Sequence, residues 1–155
     1  MSRLAAALLI AAIALLAQGP RYKLGRPASE RDIQEKDRFV SPNGKGLPPG
    51  KGTAAEGREV YKRRCERCHG AQGDGKEEAA LVGGQGTLST PKPLKTVGSY
   101  WPYATTLFDY VNRAMPFDNP GLLTNDQVYA VSALVLHWNG IIGENDVMDA
   151  SSLAK

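Results

Sequence analysis

Cys65-Glu66-Arg67-Cys68-His69 gathers both cysteines of the chain and one of its two histidines into a single short run. The spacing Cys-x-x-Cys-His is the one that attaches c-type haem. On a helical turn Cys65 and Cys68 project to the same side, so each can form a thioether with one haem vinyl group. His69 follows immediately and can place its imidazole on the iron. Other chemistries use two such cysteines and fit less well. Zinc would need a fourth ligand beyond Cys65, Cys68 and His69, and the other histidine is His137. A dithiol redox pair would follow a strand in a βαβ context, which is not visible here. A structural disulfide between residues this close would staple no large loop.

Outward from the motif, Ala55 to Cys65 reads as a helix, with Gly57 and Tyr61 one turn apart on it. Gly57 would permit a close helix crossing, with Tyr61 packed beside it. Downstream, Gly70 to Gly98 is rich in glycine and proline without sustained periodicity, so a long irregular loop is expected. Such a loop in a compact domain normally needs something to wrap around. Pro102 can occupy the first turn of a second helix, Tyr103 to Ala114, with Leu107, Tyr110, Val111 and Ala114 on one face. A third helix opens on a capping box, Thr124 with Gln127, and continues through Val128, Val131, Ser132 and Val135 to Asn139-Gly140. No run alternates well enough to predict a strand, and the tail 141–155 reads as coil.

A low-spin haem carrier needs a second axial ligand, usually Met or His. The methionines are Met1, Met115 and Met148. Met115 stands where the second helix stops, in Arg113-Ala114-Met115-Pro116, and is the expected partner of His69; the alternative is that it fills a core gap. Met148 reads as tail. His137, beside Trp138, reads as a satisfied packing histidine, with bis-histidine ligation as the alternative. Tyr100, Trp101 and Tyr103 are candidates for hydrogen bonds to haem propionates, or else for core and cap.

With 155 residues the chain fits one compact domain and some tail. Aromatics make up only 7%, beside 17 glycines and 10 prolines, so a prosthetic group would help to complete the core. The formal charge of +3 is scattered and leaves no nucleic-acid footprint. Residues 1–17 read as an export signal or N-terminal anchor, with a positive start and the apolar run Leu4–Ala17. That run is shorter than the ~20 residues of a membrane span but leaves a tether open. Residues 18–54 form a proline- and glycine-rich extended arm, with a short helix from Ser29 to Asp37. The haem domain follows at 55–140.

These residues together resemble class I cytochromes c: an all-α domain of three main helices around one haem. The stretches LGRPAS, PNGKGLPPGKGTAAEG, KTVGSYWPYATTLFDYVNRAMPF and the NGII after Trp138 are similar to the cytochrome subunit of bacterial sulfane and sulfite dehydrogenases. The resemblance implies a periplasmic protein that takes electrons from a molybdenum-cofactor subunit oxidising a sulfur compound and hands them to a downstream cytochrome, without being a catalyst itself. By position it assigns Cys65 and Cys68 to haem attachment and His69 and Met115 to the iron. The arm would embrace the partner subunit. Some members carry two haems, whereas one attachment motif supports one covalent haem here. The competing functional classes are a haem enzyme or small-ligand sensor with an open iron position, and a haem-free structural or interaction module.

Overall fold

The computed structural model describes Tyr22 and residues 24–155, so the apolar run Leu4–Ala17 lies outside the described residues. The chain divides into two units, residues 1–35 and 36–155. In the first, Asp32 organises the turn before helix α1 (Glu30–Lys36). Its carboxylate accepts from the Arg26 guanidinium at 2.5 and 2.9 Å and from the Ser29 hydroxyl at 2.8 Å. Ser29 caps the helix as expected, accepting from the Asp32 amide at 3.2 Å.

The second unit is all-α apart from a two-residue strand pair. Its helices are α2 (Ala54–Arg64), α3 (Glu66–His69), α4 (Ala104–Ala114) and α5 (Asn125–Trp138), with a 3-10 turn at Thr87–Ser89 between α3 and α4. Helix α2 begins one residue earlier than expected because Thr53 and Glu56 form a capping box of their own. Helix α5 opens on the Thr124–Gln127 box predicted for it. Tyr103 is the N-cap of α4, so Pro102 precedes the helix instead of sitting in its first turn.

Helices α2 and α5 cross at Gly57. A Cβ there would lie 2.2 Å from the Ala130 carbonyl oxygen, so no side chain fits, as the sequence anticipated. One turn on, buried Tyr61 meets Trp138 edge-to-face at 4.8 Å between ring centres. Helix α5 buries every residue from Val128 to Leu136, which makes it the axis of the core. Helix α4 packs on it through Phe108, 4.5 Å from Tyr129. Leu107 and Val111 are buried as expected, whereas Tyr110 is about half exposed and stands edge-on to Trp101.

The segment from Val40 to Lys51 lies along α4 and α5 through its backbone polar groups. The buried Asp109 carboxylate, paired with Arg113, accepts from the Val40 amide at 2.8 Å, and the Thr105 hydroxyl donates to the Pro42 carbonyl at 2.9 Å. Tyr129 donates to the Pro48 carbonyl at 2.9 Å, and the Lys51 amide donates to Asp126 at 2.8 Å. Prolines cannot donate to a ladder, so side chains of the helices take up the carbonyls instead.

The C-terminal stretch departs from the expected coil. Met148–Asp149 (β2) pairs antiparallel with Lys51–Gly52 (β1), and both Met148 and Leu153 are buried in the core. Met148 is therefore a core residue and not loose tail. A two-residue pairing leaves no periodicity to read. Asp149 fixes the turn; hydrogen bonds from the Ser151 hydroxyl and the Ser152 and Ser151 amides hold its carboxyl down to about 2. Among the described residues no helix is long and apolar enough to cross a membrane.

The Gly57 contact sets a test of the fold. Gly57→Ala is expected to lower stability by about 3 kcal/mol, the upper end of overpacking, because the clash is with backbone and cannot be relieved by a rotamer. Urea unfolding followed by circular dichroism measures it, and an unchanged midpoint contradicts the crossing.

Candidate functional site

Cys65 is the hinge between α2 and α3, and α3 carries the rest of the motif. The Cys68 and His69 amides donate back to the Cys65 carbonyl at 3.1 and 3.0 Å. Gly70 ends the turn at φ 82, and its carbonyl accepts the Tyr61 hydroxyl at 2.9 Å. The crossing of α2 and α5 thus reaches the motif through Tyr61.

Both cysteines are unpaired and half-buried. Burial, with Cys68 close by, pushes the Cys65 thiol up to about 11. Such a thiol stays protonated at neutral pH. Among the described residues no three His, Cys, Asp or Glu side chains are grouped so that they could hold a metal ion.

His69 Nδ1 lies 3.0 Å from the Ala79 carbonyl oxygen. A carbonyl only accepts, so Nδ1 is the donor, and in the neutral ring Nε2 is then the nitrogen with the lone pair. That is how a metal-binding imidazole is usually fixed in tautomer and orientation. Ala79 is held there because the loop folds back on the motif. The Glu77 and Glu78 amides donate to the Cys68 carbonyl at 3.0 and 2.9 Å, the Gly75 amide to the His69 carbonyl at 2.8 Å, and the Leu81 amide to the Gly73 carbonyl at 2.7 Å.

Met115 is the C-cap of α4 and is half-buried against the same core as Cys65, Leu81 and Trp101. Arg67 and Asp118 approach to 3.9 Å, placing the motif turn and the segment after Met115 side by side. Both are exposed, so the pair adds little stability. Tyr100 and Tyr103 are about half exposed, Lys95 Nζ sits 4.9 Å above the Tyr100 ring, and Trp101 is half-buried. His137 is half-buried on the last turn of α5, with Nδ1 3.2 Å from the Ile142 carbonyl oxygen. Sequence reasoning missed Asn139, read only as a helix end, and Thr96, whose hydroxyl donates to the Gly83 carbonyl at 2.5 Å. Their partners are backbone groups distant in sequence, which no local pattern reveals.

The family model described as cytochrome C oxidase, cbb3-type, subunit III matches residues 52–135, more than half of the chain. This chain belongs to that cytochrome c family. The fold is likewise that of a cytochrome c. It is similar to a chain in the crystal structure of the sulfane dehydrogenase SoxCD from Paracoccus pantotrophus, at 39% identity and a TM-score of 0.79. The match covers 86% of this chain and 66% of that one. No curated protein matches. A cytochrome c domain implies covalently bound haem c, and the residues fit it. The turn offers two free thiols and an imidazole with Nε2 available. A thioether lies against the same core as Cys65.

The Tyr61 brace predicts a measurable contribution. Tyr61→Phe keeps the contact with Trp138 but leaves the Gly70 carbonyl without its partner, and is expected to cost about 1 kcal/mol. Thermal unfolding of the haem-loaded protein measures this, and an unaltered melting temperature contradicts the brace.

Proposed function

We propose that the chain is a mono-haem electron carrier in which Cys65 and Cys68 hold the haem by thioethers and His69 and Met115 are its axial ligands. The observation that carries this reading is the His69 Nδ1 hydrogen bond to Ala79, which leaves Nε2 free beside two unpaired thiols. A bound haem supplies a one-electron iron couple. The chain's residues then set its poise. The Ala79 carbonyl fixes the His69 ring plane and raises the basicity of Nε2, which favours oxidised iron. The Met115 thioether favours reduced iron and so raises the potential. Tyr100, Trp101 and Tyr103 offer donors to the propionates.

The likeness to a sulfane dehydrogenase chain supports a more specific role. The cytochrome accepts electrons from a molybdenum-cofactor subunit that oxidises a sulfur compound, and passes them to another cytochrome in the periplasm. Residues 1–17 direct export or tether the protein, and the arm embraces the dehydrogenase subunit. The chain is the electron-transfer subunit and not the catalyst.

Two experiments test these levels separately. Met115→Ala is expected to abolish the sulfur-to-iron absorption band of the oxidised protein and to let the reduced protein bind carbon monoxide rapidly. Rapid binding by the unmodified protein contradicts Met115 ligation and favours a ligand sensor. Purification from the native host is expected to yield iron and molybdenum in stoichiometric amounts in one fraction. Iron without molybdenum contradicts the partner while leaving the carrier intact.

A further inference from the structure

The Ala79 carbonyl can orient His69 only if the chain around it is held still. Two residues beyond Ala79, the Leu81 carbonyl accepts from Asn139 Nδ2 at 3.2 Å. Two residues further, the Gly83 amide donates to Asn139 Oδ1 at 3.1 Å, and Gln85 Nε2 approaches the same oxygen at 3.3 Å. The second Nδ2 proton goes to the Val135 carbonyl at 2.8 Å, within α5. The partners fix which end of the amide is which, since two are carbonyls and two are N–H donors. Asn139 is also enclosed: a Cβ on Gly98 would lie 2.0 Å from its Oδ1. One side chain at the end of the most buried helix thus grips both sides of the 81–83 segment. The Leu81 amide carries that grip to the Gly73 carbonyl.

We propose that Asn139 is a positioning residue for the axial histidine, acting through Leu81 and Gly83 to hold the Ala79 carbonyl against His69 Nδ1. The inference rests on His69 being an iron ligand. It assigns a redox role to a residue whose side-chain hydrogen bonds go to Leu81, Gly83, Gln85 and Val135, outside the haem-attachment motif. Loosening the clasp lengthens or tilts the Nδ1 hydrogen bond, the imidazole loses basicity, and oxidised iron loses stabilisation.

The test compares the haem-loaded protein with Asn139→Ala and Asn139→Asp by potentiometric titration and by electron paramagnetic resonance of the oxidised state. Asn139→Asp keeps the size of the side chain and its acceptor for Gly83 but sets an acceptor against the Leu81 and Val135 carbonyls. It keeps the test open where the alanine variant fails to fold. Asn139→Ala is expected to raise the reduction potential, and both variants to shift the largest g value. The charge that Asn139→Asp adds lowers the potential by itself, so its g value is the deciding readout for that variant. Thr124→Ala is the control: it removes the cap at the opposite end of α5 and is expected to lower the melting temperature while leaving potential and g values where they were. Variants at Asn139 that leave both readouts unmoved, or a Thr124→Ala that moves them equally, overturn the inference. Absence of a low-spin haem signal from the unmodified protein overturns the ligand assignment, and the inference with it.

Discussion

Helices α2 and α5 can meet backbone to backbone only because position 57 carries no side chain. The Ala130 carbonyl fills the space a Cβ would need. From that contact the rest follows in order. Tyr61 is brought against Trp138, its hydroxyl reaches the Gly70 carbonyl, and the turn bearing both cysteines and His69 is fastened to the core. A fold with few large side chains thus fastens its motif turn to the helical core through one close crossing and the Tyr61 hydrogen bond.

The site itself is assembled from loops, and what fixes it is mostly hydrogen bonding to backbone carbonyls. Cys68, His69, Gly73, Leu81 and Gly83 each lend a carbonyl that ties the loop to itself or to a helix. Strands would supply such pairing by repetition, whereas here each bond is made singly. The consequence for chemistry is preorganisation. An imidazole whose tautomer and plane are already set loses little freedom on taking up a metal.

Much of this was legible in the sequence because the decisive residues are close together. The motif needs a single turn, and the Thr124–Gln127 box and the Gly57–Tyr61 spacing are local patterns that the structure contains as read. The Thr53–Glu56 box was equally legible but stood behind Gly50 and Gly52, which suggested that the arm still continued. The pairing of Met148–Asp149 with Lys51–Gly52 and the reach of Asn139 to Leu81 join residues far apart through backbone atoms. Those atoms are the same in every residue, so side-chain identity gives no signal for them. Tyr110 failed for another reason: helical spacing predicts which residues share a face but not how much of that face the protein covers.

The central claim is that Cys65 and Cys68 carry a haem covalently. Intact-mass measurement under denaturing conditions, on protein matured in a host that attaches c-type haem, tests it most directly. The account predicts a polypeptide heavier by one haem, with the added mass absent when both cysteines are replaced by serine. A chain at its bare polypeptide mass, or one carrying two haems, contradicts it.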